Sequence, residues 1–82
     1  MKKSLHINSP VDVTAMGFGR NMRTYPRRME FRGIAYNFID AGLRTVVRDG
    51  ERITQMFTMT DGTNDYYLRA QGGSWTLLGM TQ

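Results

Sequence analysis

The chain has 82 residues, a formal net charge of +4 and no cysteine, with 40% hydrophobic and 22% charged residues. This length and composition predict one soluble globular domain with a small core. The lack of cysteine excludes disulfides, thiolate nucleophiles and cysteine-ligated zinc. Because no apolar run reaches the about 20 residues of a membrane-spanning helix, we expect a cytoplasmic protein with no membrane partner.

Positive charge is concentrated in the first third of the chain. Residues 1–32 carry seven lysines and arginines against two acids, a net charge of +5, whereas residues 33–82 carry four arginines against five acids, a net charge of −1. Such an excess can attract nucleic acid, meet an acidic protein partner or simply maintain solubility. The arginines of this segment are therefore the first functional residues to consider.

The N-terminal half of the chain begins without a clear element. Residues 1–9 lack the apolar region of a signal peptide and are expected to form a mobile or edge segment. Residues 11–18 alternate apolar with small or polar side chains, which predicts a first strand. Residues 19–26 are basic and have no period, so we expect the longest loop here, at the end of which Pro26 favours an extended chain.

Alternation returns in residues 27–32. Met29 and Phe31 are expected to face the core, while the charged side chains between them face solvent. The dipeptide Arg32-Gly33 predicts a tight turn, and residues 34–38 resume the alternation as a further strand.

The sharpest local signal is Asp49-Gly50, which lies between two extended runs, residues 43–48 and 53–60. This dipeptide favours a two-residue type I′ turn, in which both central residues have positive φ. The resulting register would pair Arg48 with Glu51, two opposite charges.

Two further turns are predicted at residues 61–64 and 71–73, and they delimit strands at residues 65–70 and 74–80. No segment has a convincing helical pattern. We therefore predict an all-β fold with one domain over residues 1–82. Its architecture would be an antiparallel meander of about five or six strands, forming a curled sheet or a small barrel with little or no helix.

A pattern of core and turn residues is shared with other proteins. Residues 26–36 have the form Pro-x-x-apolar-x-aromatic-x-Gly-x-x-Tyr, and residues 73–77 read Gly-Ser-Trp-Thr-Leu. With these two motifs, residues 26–78 resemble a group of short uncharacterised bacterial all-β domains. The resemblance implies a β fold, and it implies no activity or site because the group has no established activity.

Groups that could perform catalysis are scarce. His6 is the only histidine, and any triad that uses a histidine base would depend on it. Residues 61–65 offer oxygen ligands, but they lack the bidentate glutamate of a calcium loop and are typical of a turn. Residues 17–20 lack the pattern of a Walker phosphate loop. We therefore expect no enzyme, no catalytic residue, no cofactor and no metal.

The function favoured by the sequence is a small non-enzymatic binding or structural domain that acts as a protein-interaction or oligomerisation module. Its partner would be another protein or further copies of the chain, bound at an exposed strand edge or at an uncharged, methionine-rich surface. The residues of that surface are Thr54, Met56 and Thr58, with Met16, Met22 and Met80.

The alternative is a nucleic-acid-binding small β-barrel that uses an arginine-rich loop and strand. Proteins of this kind place arginine against phosphate and stack bases on exposed aromatic rings. The candidate contacts to an anion or nucleic acid are Arg20, Arg23, Tyr25, Arg27, Arg28 and Arg32.

Overall fold

The computed structural model describes residues 3–20 and 23–82, and within them the chain is all-β with almost no helix. The strands are β1 (Ser4–Pro10), β2 (Asp12–Phe18), β3 (Thr24–Phe31), β4 (Ile34–Asn37), β5 (Leu43–Asp49), β6 (Arg52–Thr60), β7 (Asp65–Gln71) and β8 (Ser74–Thr81). The all-β prediction is confirmed, whereas the predicted count of five or six strands is too low. Met22 of the predicted methionine surface lies outside the described residues.

The strands form two antiparallel sheets, one in the order β1-β8-β7-β6-β5 and one in the order β2-β3-β4. Within the described residues neither sheet closes on itself, so of the two predicted forms, a curled sheet or a small barrel, the barrel is wrong. The chain passes between the sheets twice. The Val11 N–H donates to the Trp75 carbonyl at 3.1 Å, and after β4 the Ile39 N–H donates to the Thr60 carbonyl at 3.0 Å.

The core lies between the two sheets. It consists of Met29, Phe31, Phe38, Phe57, Met59, Tyr66, Leu68, Leu77 and Met80. Tyr66 of the larger sheet meets the rings of Tyr36 and Phe38, with centroids 5.3 and 5.4 Å away. Such tilted aromatic pairs contribute about 0.5–1.5 kcal/mol to stability beyond the contribution of the apolar area that they bury. The prediction that Met29 and Phe31 face inward is confirmed.

The N-terminal segment forms an edge strand. β1 pairs with β8, and beyond it Lys3 and Gln82 exchange backbone hydrogen bonds of 3.1 and 2.8 Å. The register shifts between His6 and Ser9, where Asn8 has a φ of 53°. No helix in the described part of the chain is long and apolar enough to cross a membrane.

The sequence predicted one hairpin turn correctly and a second one with the wrong register. Arg32 and Gly33 have φ angles of 53° and 76°, as a tight turn with two left-handed residues requires. At the β5–β6 turn, however, Asp49 pairs with Arg52, so Gly50 and Glu51 form the loop. The predicted Arg48–Glu51 pair is wrong because Gly50, with a φ of 63°, takes the first loop position, the arrangement of a type II′ turn.

The predicted loop over residues 19–26 is shorter than expected, because β3 begins at Thr24. Pro26 is fully buried within this strand. A proline cannot donate to a sheet and is therefore tolerated beside a bulge. The register between β2 and β3 shifts on both sides of Ala15, next to the pairing of Met16 with Pro26.

Candidate anion-binding site

Three arginines converge on a pocket of about 250 Å³ between the end of the β2–β3 hairpin and the start of β5. Arg20, Arg23 and Arg44 line it, together with Tyr25 and Phe57. We call this site the arginine pocket. None of the described residues that line it is acidic, so no carboxylate of the lining neutralises the guanidinium groups.

The hairpin itself brings Arg20 and Arg23 together. Phe18 and Thr24 are the last paired residues of β2 and β3. Beyond them, the Gly19 N–H donates to the Arg23 carbonyl at 2.7 Å and the Arg23 N–H donates to the Arg20 carbonyl at 3.3 Å. These backbone bonds hold the two arginines at the same end of the hairpin.

Arg44 reaches the pocket from the other sheet. It is the second residue of β5 and pairs with Phe57 of β6. The segment before it bends at Gly42, whose φ is 63° and whose N–H donates to Asp40 Oδ1 at 2.9 Å. A Cβ at Gly42 would collide with the Thr58 carbonyl. Glycine therefore lets this segment pass close to β6 just before β5 begins.

Tyr25 forms a wall of the pocket and is half-buried. Its ring lies across Gly17, its partner on β2. A Cβ at Gly17 would overlap this ring and stand 2.7 Å from its Cε2 atom. Packing of an aromatic ring over a cross-strand glycine fixes the ring in place. Tyr25 thus shapes the pocket, although the sequence had suggested a platform for base stacking.

An exposed aromatic side chain lies next to the pocket. Phe18 is 73% exposed. It precedes Gly19 in the chain and pairs with Thr24 across the hairpin, and both of these neighbours line the pocket. Leu43, in the lining itself, is also 73% exposed. The three arginines of the lining are therefore bordered by exposed apolar side chains.

The remaining predicted contacts lie outside the described lining of the arginine pocket. Arg27 and Arg28 are exposed in β3, and the Arg27 carbonyl accepts the Phe38 N–H at 2.9 Å. Arg32 occupies the β3–β4 turn, where its guanidinium carbon lies 4.8 Å from the centroid of the Phe31 ring. The structure thus brings Arg20, Arg23 and Tyr25 together and separates Arg32 from them.

The chemistry of the pocket suits a small anion. Guanidinium groups present planar pairs of donors that match phosphate and carboxylate oxygens, and they stay charged at all ordinary pH values. The pocket's volume of about 250 Å³ is below the range of about 300–1,000 Å³ of sites that enclose a drug-sized ligand. It can therefore hold one anionic group of a larger molecule.

The acidic turn at residues 61–64 has a structural role. Asp61 Oδ1 accepts the N–H groups of Thr63 and Asn64 at 2.9 and 2.8 Å, and Oδ2 accepts the Tyr66 hydroxyl at 2.7 Å. The hydrogen bond from Asn64, followed by that from Tyr66, holds the pKa of Asp61 below its ordinary value. Burial, and then the bond to Asp61, raises the pKa of Tyr66.

Strand β5 presents a second exposed surface. It is the terminal strand of its sheet, and all seven of its residues are exposed, including Leu43, Val46 and Val47. The predicted methionine surface is less accessible. Thr54, Met56 and Thr58 are half-buried, and Met80 belongs to the core. The exposed edge is thus the more open of the two surfaces proposed from the sequence.

Comparisons of the chain with models of protein families, with curated proteins and with solved structures find no match. The resemblance to uncharacterised bacterial β domains therefore stays a prediction. The chemistry of the arginine pocket and of strand β5 carries the functional proposals that follow.

Proposed function

We propose that the protein is a non-enzymatic domain that binds single-stranded nucleic acid, with a backbone phosphate in the arginine pocket. The observation that supports this proposal is the convergence of Arg20, Arg23 and Arg44 from two sheets on one pocket with no acidic residue in its described lining. The positive charges of three arginines on one small pocket repel one another, and a bound anion would relieve that repulsion.

Nucleic acid is favoured over a free anion because the basic surface extends beyond the pocket. Arg27 and Arg28 are exposed on β3, the second strand of the hairpin. An exposed aromatic residue, Phe18, borders the same hairpin end. A basic surface that tracks a backbone, combined with aromatic rings for the bases, is the usual composition of a single-strand binding site.

Two arginines of β5 provide a matched test. Arg44 lines the arginine pocket, whereas Arg48 lies four residues further along the same strand and is absent from the described lining. We expect Arg44→Gln to weaken binding of a fluorescently labelled oligothymidine by about 10- to 100-fold, because a charge-assisted hydrogen bond contributes about 1.5–3 kcal/mol. Arg48→Gln removes the same charge and is expected to change the affinity less than twofold.

The measurement is fluorescence anisotropy at low salt, with a thermal unfolding curve for each variant to show that it is folded. If the two variants weaken binding equally, general electrostatic attraction explains the affinity and the pocket does not. If the unmodified protein does not bind the oligonucleotide at low salt, the proposed function is wrong.

A second candidate function is self-association through β5, which is one form of the protein-interaction or oligomerisation module that the sequence favours. Antiparallel pairing of β5 with a second copy would extend the five-stranded sheet and cover its exposed apolar edge. If the two-fold axis passes through Val47, no like charges face each other across the new strand pair. If it passes through Val46, Arg44 would face Arg48, which is unfavourable. The first of these registers is therefore the one we propose.

Light scattering during size exclusion, over a series of protein concentrations, tests this association. Val47→Lys would place two ammonium groups beside the axis and should convert a dimer into a monomer. Ile39→Lys is the control, because Ile39 is 65% exposed and lies outside β5. A protein that is monomeric at every concentration would exclude this second function.

A further inference from the structure

We infer that Phe18 is the platform on which a base of the bound strand stacks, so that the site recognises an unpaired nucleobase as well as a phosphate. This inference rests on the proposed function. It assigns the ligand class more narrowly, as a nucleotide unit of a single strand.

Phe18 is an unusual residue for its position. It ends β2, and its neighbour Gly17 is buried under the ring of Tyr25. Successive side chains of a strand point to opposite faces, so Phe18 projects away from the face that holds Tyr25. There it remains 73% exposed. An aromatic ring so accessible offers a flat apolar surface to a ligand.

The position of Phe18 relative to the pocket is set by covalent and hydrogen-bonded neighbours. The Cα atoms of Phe18 and Gly19 are separated by one peptide, about 3.8 Å. Thr24, the partner of Phe18 on β3, faces it at about 4.5–5.5 Å. Gly19 and Thr24 both line the pocket. Only one sugar separates the phosphate and the base of a nucleotide, so we place the base of a phosphate bound in the pocket on Phe18, the residue that adjoins Gly19 and Thr24 of the lining.

The two surfaces impose a path on the ligand. Its backbone would enter the arginine pocket on one side of the hairpin end and turn over that end so that the base meets Phe18 on the other side. A flexible single strand can follow this path. A duplex cannot, because its bases are paired and stacked and its backbone resists sharp bending. The site therefore discriminates single strands from duplexes and from polyanions without bases.

The experiment compares two ligands with two variants. The ligands are a labelled oligothymidine and inorganic polyphosphate of similar charge, which has no bases and competes for the same pocket. Stacking contributes about 1–3 kcal/mol per base, so Phe18→Ala should weaken oligothymidine binding by about 5- to 100-fold. Polyphosphate binding should change less than twofold, and Phe18→Tyr should retain the affinity for oligothymidine.

The matched control is Ile39→Ala, which removes an exposed apolar side chain outside the described lining of the pocket. It should leave both affinities unchanged. Equal losses for both ligands in Phe18→Ala would mean that Phe18 supports the pocket's structure, and the inference would be overturned. An unchanged oligothymidine affinity in Phe18→Ala, together with a loss in Arg44→Gln, would overturn the inference while the proposed function stands. Failure of the unmodified protein to bind either ligand would overturn both.

Discussion

Replacement of Asp61 by alanine removes all three hydrogen bonds that its carboxylate accepts at the β6–β7 turn. The most costly loss concerns Tyr66, which is 1% exposed and donates its hydroxyl to Asp61 at 2.7 Å. A hydrogen bond to a charged group contributes about 1.5–3 kcal/mol. The two turn N–H groups, on the exposed Thr63 and the half-buried Asn64, can bind water instead and add roughly 1 kcal/mol together.

The expected loss for Asp61→Ala is therefore about 2–4 kcal/mol in the free energy of unfolding. For a domain of this size, a loss of 1 kcal/mol lowers the Tm by about 4–8 °C, so the variant should melt roughly 10–30 °C earlier. Urea unfolding, followed by circular dichroism, measures the change. The same measurement on Tyr66→Phe and on the double variant completes a double-mutant cycle for the hydrogen bond between the two residues.

The two substitutions should be coupled by about 1.5–3 kcal/mol, because they remove opposite ends of one hydrogen bond. Once Tyr66 has lost its hydroxyl, removal of Asp61 should cost only the two turn contacts. Strictly additive effects, or a loss below about 0.5 kcal/mol for Asp61→Ala, would refute this reasoning.

Three further predictions follow from the same structure. The pKa of Asp61 in the folded protein lies below its ordinary value of 3.8, so the contribution of Asp61 to the free energy of unfolding is fully present above pH 3.8 and is lost as the pH falls through the folded pKa. When the free energy of unfolding is measured over a series of acidic pH values, the advantage of the wild type over Asp61→Asn should disappear below the folded pKa. Gly17→Ala should displace the Tyr25 ring, lower the free energy of unfolding in urea by about 1–3 kcal/mol, and weaken oligothymidine binding. A variant that keeps both the stability and the affinity of the wild type would contradict the packing described for Tyr25. Gly42→Ala should cost at least as much, because it adds the collision with the Thr58 carbonyl to a left-handed φ; a stable variant in the same assay would show that this bend does not need glycine.

Local patterns predicted the all-β class and the positions of several strands, but not the division into two sheets or the pairing of β1 with β8. The alternation around Met29 and Phe31 identified their buried face, and the turn residues Arg32 and Gly33 marked a hairpin correctly. For residues 1–9 the sequence left a mobile segment and an edge segment open, because Ser4–Pro10 lacks regular alternation and contains a break in register around Asn8; the structure has an edge strand, β1. The start of β3 was missed because Pro26 usually argues against a strand interior.

The sequence predicted less of the candidate site than of the fold. Arg20, Arg23 and Tyr25 could be grouped because they are close in the chain. Arg44 could not, since only the packing of the two sheets brings β5 to the hairpin end. Phe18 was missed for a different reason: an alternating strand shows which residues share a face but not which face is buried. Its exposure depends on the direction in which Tyr25 packs over Gly17.

The salt dependence of oligothymidine binding tests the role of the arginine pocket most directly. One phosphate in the pocket and one at each of the exposed Arg27 and Arg28 make three neutralised phosphates, which predicts a slope near −2 in a plot of log affinity against log salt concentration, at about −0.7 per contact for single strands. Affinity should fall about 20-fold between 50 and 200 mM salt. Arg44→Gln should reduce the slope by about 0.7, and Arg48→Gln should leave it unchanged. A flat salt response, or the same slope in all three proteins, would contradict phosphate binding in this pocket.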